Sequence, residues 1–155
     1  MESKIIFGYK RNNTAGFAIT IINVFDQPDY NVMCYPENPS KKPDGMPYIR
    51  MYTLEESVLQ QIRDAIKENP AVFDIGKFNV EHPPVLDGVS NEFHFSTGDQ
   101  KAEIFASNIS AFQDKDILSL DGKEPVNARK VLKAFESIKT ILVNNGINKG
   151  YLKLD

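Results

Sequence analysis

Ser90-Asn91-Glu92-Phe93-His94-Phe95-Ser96, then Thr97-Gly98-Asp99, then Gln100-Lys101-Ala102-Glu103-Ile104-Phe105-Ala106-Ser107 is the stretch that decides the fold. Phe93 and Phe95 alternate with Glu92 and His94, and Ala102, Ile104 and Ala106 share one face of the second run. Alternation of period two on both sides of a glycine-containing turn predicts a β-hairpin with one face against a core.

Upstream, Lys4 to Tyr9 reads as a strand, Lys10-Arg11-Asn12-Asn13-Thr14 as a polar connection, and Gly16 to Val24 as a second strand. In the second strand both faces are largely apolar, which places it centrally in a sheet. Asp26-Gln27-Pro28-Asp29 supplies a turn, after which Tyr30 to Tyr35 resumes strand character. Pro36 to Pro47 holds four prolines and reads as a loop, and Tyr48-Ile49-Arg50-Met51-Tyr52 alternates again. That alternation predicts Ile49 and Met51 facing the core, with Tyr48, Arg50 and Tyr52 on the other side.

Thr53-Leu54-Glu55-Glu56 has the form of a capping box, so a helix is expected from Leu54 to Glu68, where Asn69-Pro70 ends it. Leu54, Val58, Leu59, Ile62, Ala65 and Ile66 recur at helical spacing. Ala71 to Asp87 has no clear period and reads as an irregular crossover. Asn108 to Glu124 reads as a long connection, and Pro125 suits the first turn of a second helix from Val126 to Asn145. Its stripe is Ala128, Val131, Leu132, Phe135, Ile138, Ile141 and Leu142, and Gly146 with Ile147 predicts a glycine cap at its end. The tail Gly150 to Asp155 alternates briefly, as an edge strand or a frayed end does.

Two helices with one apolar stripe each need a sheet face to cover. The expected fold is therefore α+β: a mainly antiparallel sheet of about six strands with two amphipathic helices on one face, residues 1–155 forming a single domain. The segment Val85-Leu86-Asp87-Gly88-Val89-Ser90-Asn91-Glu92-Phe93-His94-Phe95-Ser96-Thr97-Gly98, with a helix before and after it, resembles small uncharacterised bacterial α+β domains. In those, an aspartate-glycine turn leads into a strand ending at a glycine hairpin. The resemblance covers roughly half of the chain, implies the same fold class, and carries over no catalytic residue.

Composition narrows the function classes. With 41% apolar and 25% charged residues the chain can bury an ordinary core, and a net charge of −3 gives no global attraction to nucleic acid or anionic lipid. No apolar run is long enough to span a membrane, and a cytoplasmic location is expected. Cys34 is the only cysteine, which rules out an internal disulfide and thiol-rich metal sites. His82 and His94 are the only histidines, and no spacing suggests a metal centre, a phosphate loop or another cofactor site. No cofactor is expected, and oligomeric state is left open.

Tyr48, Arg50 and Tyr52 are the candidate binding residues, because tyrosine and arginine are enriched at binding hot spots and strand alternation puts all three on one face. The expected function is a non-enzymatic binding or accessory domain for a protein, peptide or small ligand. The alternative is a small hydrolase or transferase using Cys34 or His94, since a thiolate beside an imidazole is a nucleophile.

Overall fold

The computed structural model describes residues 4–12, 18–35, 49–75, 90–107, 109 and 123–154. Six strands, β1 (Ile5–Asn12), β2 (Ala18–Phe25), β3 (Val32–Tyr35), β4 (Arg50–Tyr52), β5 (Ser90–Ser96) and β6 (Lys101–Ser107), form one sheet in the order β4-β3-β2-β1-β5-β6. Every pairing is antiparallel. The helices are α1 (Glu56–Lys67) and α2 (Lys123–Asn144).

β1 pairs on both sides, with β2 and with β5, and its residues therefore set the register of the sheet. Tyr9 lies opposite Ile22 and Phe93, and Phe7 opposite Val24 and Phe95. All six side chains are buried, and they define the core face. α2 lays Phe135 on that face, its ring 4.9 Å from Tyr9 and 5.5 Å from Phe93 between centroids. α1 buries Val58, Leu59, Ile62, Ala65 and Ile66, and these join α2 and the sheet in one hydrophobic cluster. The α+β architecture expected from the sequence is what the chain forms.

Three local expectations are corrected. Lys10, Arg11 and Asn12 are not a polar connection but continue β1 between its two neighbours, with Arg11 and Asn12 buried. Pairing on both edges outweighs the polarity of the side chains there. The capping box does not form: the hydroxyl of Thr53 accepts from the amide of Tyr30 at 3.0 Å, and the helix begins two residues later than expected, at Glu56. Tyr30 sits at φ +49°, and Asn31 beside it both donates to the Leu54 carbonyl (2.9 Å) and accepts from the Leu54 amide (2.7 Å). A single amide side chain thus satisfies both backbone groups of a buried residue just ahead of α1.

The third correction concerns the tail, which neither adds an edge strand nor frays. Residues Lys149–Leu152 form a 3₁₀ turn started by Asn148, whose side chain accepts from the Gly150 amide at 2.8 Å. Tyr151, Leu152 and Leu154 are buried. The Tyr9 hydroxyl donates to the Lys153 carbonyl, and Asn91 donates both to that hydroxyl (2.7 Å) and to the Leu154 carbonyl (2.8 Å). The glycine end of α2 does form as read: Ile147 donates to Leu142 and Gly146 to Val143, with Gly146 at φ +93°. This double bond turns the chain back towards the sheet.

Two substitutions test this account. Phe135→Ala is expected to cost about 3–5 kcal/mol in urea unfolding, because the ring fills the centre of the aromatic cluster. Asn91→Ala is expected to cost about 1–3 kcal/mol and to speed amide hydrogen exchange chiefly over residues 149–154, since it removes the donor shared by tail and sheet.

Candidate functional site

The face of the sheet away from the helices carries the other half of each strand. On β1 this half begins with Gly8, opposite Asn23 on β2 and His94 on β5. Following the register outward, Asn23 lies opposite Met33, Met33 opposite Met51, and His94 opposite Glu103. One continuous cross-strand row results: Met51, Met33, Asn23, Gly8, His94, Glu103. A second row, Tyr35, Ile21, Lys10, Glu92, Phe105, runs beside it.

Gly8 has no side chain to raise the middle of the first row. A Cβ there would lie 2.9 Å from Asn23 Oδ1 and 3.3 Å from His94 Cβ, so glycine is what lets these two neighbours close over the strand. The outcome is an open depression of about 550 Å³, bordered by Lys10, Asn23, Glu92, His94, Glu103 and Phe105 among others. Glu92 is held from two sides, by Lys10 Nζ at 3.6 Å and by the Asn12 side-chain amide at 2.8 Å. Glu103 has an 80% exposed side chain and lies 3.7 Å from His94 Nδ1. The β5–β6 side of this face, where the depression lies, is therefore polar with spare negative charge, whereas the β3–β4 side, beyond the depression, is apolar, with Met33 half-buried and Met51 exposed.

Arg50 and Tyr52 sit on the opposite face from this depression. Arg50 is paired with Cys34 and Tyr52 with Val32, and both partners point into the core. Side-chain parity along a strand then turns Ile49 and Met51 outward, 47% and 46% exposed, which reverses the expectation that they face the core. Tyr52 packs against the core edge, and Arg50 remains exposed at the margin of the sheet. Tyr48, His82, the Pro36–Pro47 loop and the Val85–Val89 turn lie outside the described residues.

Cys34 is fully buried on the core face of β3, and burial pushes its thiol up to about 12 despite the opposing charge of Arg50. Tyr151 packs near the same place, its phenol also raised, first by burial and then by the nearby Cys34 and Tyr52. His94 is on the other face and three strands further along, so the fold does not bring Cys34 and His94 together. Among the described residues no group of three histidine, cysteine or carboxylate side chains could hold a metal ion. No described helix is long and apolar enough to cross a membrane.

Sequence reasoning missed the depression. Its one local signal was an isolated glycine inside the strand Lys4 to Tyr9, a position that often marks close approach of another group to the backbone. No protein-family model and no curated protein matches the chain.

The buried thiol sets a pH dependence with a definite sign. Cys34 has an ordinary value of 9.0 when solvated and about 12 in the fold, so between those values the unfolded chain has released a proton that the folded chain keeps. Stability from this group is complete below about pH 9 and is lost as pH rises from there towards 12. In urea unfolding, Cys34→Ala is expected to remove part of the alkaline fall in stability, and a thiol reagent is expected to label wild-type Cys34 only at the rate at which the chain opens.

Proposed function

We propose that this domain is a non-enzymatic binding module, and that its partner is a protein segment laid across the open face of the sheet. The observation that carries this reading is the Gly8-floored depression with its two cross-strand rows. Five strand-to-strand steps separate Met51 from Glu103, a span of about 24 Å at roughly 4.8 Å per step, which an extended peptide of about seven residues would cover. Small-molecule sites enclose most of their ligand, whereas this depression is open along the sheet, which favours a peptide.

The chemistry of the two ends defines the partner further. Apolar side chains suit Met51, Met33 and Ile21, and a lysine or arginine suits the uncommitted charge of Glu103 beside the Phe105 ring. What supports binding over hydrolysis or group transfer is that the thiol is buried and faces away from the imidazole.

The test is selection of a random displayed peptide library on the folded domain, followed by amide chemical-shift mapping of the enriched peptides. Enrichment of sequences joining apolar and basic residues, with shifts centred on Gly8, Asn23, His94 and Glu103, is the expected result. Glu103→Lys, at an exposed position that leaves the fold intact, is expected to weaken such peptides about tenfold, and Gly8→Leu to abolish their binding by filling the floor. Failure to enrich any peptide, or shifts confined to another surface, overturns the reading.

A further inference from the structure

A second concavity lies at the opposite end of the chemistry scale. It is a cleft of about 140 Å³ between the last turns of α1, the start of β1, the end of β2 and the turn after β5. Pockets that enclose whole small ligands usually measure roughly 300–1,000 Å³, so this cleft has room for a functional group and not for a complete drug-sized molecule.

Three cations line it: Lys4 from the chain just before β1, and Arg63 and Lys67 from successive turns of α1. Among the described residues of the lining the only carboxylate is Asp26, which is already matched by Arg63 Nη2 at 2.5 Å. Arg63 is further held by Glu56, at 2.7 Å from Nη1, and so is fixed in place with its charge shared. Neither Lys4 nor Lys67 forms an ion pair with any described residue. In a chain whose net charge is −3, the described residues of the lining carry two more positive charges than negative ones.

The fourth wall adds neutral donors. Ser96 is 5% exposed, and its Oγ accepts from the Gly98 amide at 3.3 Å. The Thr97 Oγ1 accepts from the Gln100 amide at 3.3 Å. A hydroxyl that accepts keeps its own proton for another acceptor, and no described residue takes either proton. Two lysines and two hydroxyl residues, from the chain just before β1, from α1, and from the end of β5 and the turn after it, thus line one small space. Donors arriving from several directions fit a tetrahedral oxyanion with more than one negative charge, whereas a planar carboxylate carries one charge and fewer acceptor directions.

We propose that this cleft is a phosphate-binding site, taking free phosphate or the phosphomonoester end of a small molecule. The site is separate from the open face of the sheet and does not rest on the peptide-binding reading. Lys4 and Lys67 carry the charge recognition, Ser96 and Thr97 donate to the phosphate oxygens, and Arg63 holds the wall against Asp26.

The experiment is an amide NMR titration of the whole chain with inorganic phosphate, glycerol phosphate, acetate and chloride at matched ionic strength. Saturable shifts at Lys4, Lys67, Thr97 and Gly98 with the two phosphates, and not with acetate or chloride, are the expected result. Saturation by inorganic phosphate alone assigns the free ion, and tighter saturation by glycerol phosphate assigns the ester. The double variant Lys4→Glu, Lys67→Glu removes two exposed side chains from outside the core and is expected to weaken phosphate at least about tenfold, while Ser96→Ala gives a smaller loss. Shifts that stay linear, that chloride or acetate reproduces, or that persist unchanged in the double variant overturn the proposal.

Discussion

The structure depends on the pairing of β1 with both β2 and β5. A strand hydrogen-bonded on both edges has no freedom to slip, because a shift of one residue would exchange every inward side chain for an outward one. That constraint aims Phe7 and Tyr9 at the helices and leaves Gly8 and Lys10 on the far side. The aromatic core and the open depression are consequently two faces of one register. Altering the pairing to enlarge either would destroy the other.

The helices and the tail close the core in a way that uses polar groups sparingly. Phe135 places its ring among Phe7, Tyr9 and Phe93, where tilted and edge-on contacts suit aromatic quadrupoles. The Tyr9 hydroxyl would be stranded in that cluster, and the returning tail supplies its acceptor through the Lys153 carbonyl. Asn91 then ties the same hydroxyl to Leu154, so the last turn of the chain is bound to the central strands by a network and not by packing alone. Asn31 does the equivalent work at the entrance to α1, where it satisfies both backbone groups of Leu54.

Legibility varied with how local the deciding force was. The β5–β6 hairpin, the stripes of both helices and the glycine end of α2 were readable because alternation, helical spacing and a positive-φ glycine act within a few residues. The expected capping box failed because Thr53 found a partner twenty-three residues away, the amide of Tyr30. The facing of Arg50, Met51 and Tyr52 was misread because a three-residue edge strand takes its parity from β3, and no pattern inside it reveals which side the core occupies. Lys10 to Asn12 looked like a connection because side-chain polarity is a weak guide where the backbone must pair on both edges.

Alternation and amphipathic spacing in the sequence were enough to determine the class of fold, the presence of an antiparallel sheet with two helices and most of the residues that make the core. Those features arise from hydrophobic burial acting through periods of 2 and 3.6, and both periods are written along the chain. Only the tertiary structure decided that Gly8 stands between Asn23 and His94, that Lys4 and Lys67 flank one cleft, and that the tail caps Tyr9. Each of these joins residues far apart in sequence, and strand order and register, which bring such residues together, leave no local trace in the chain.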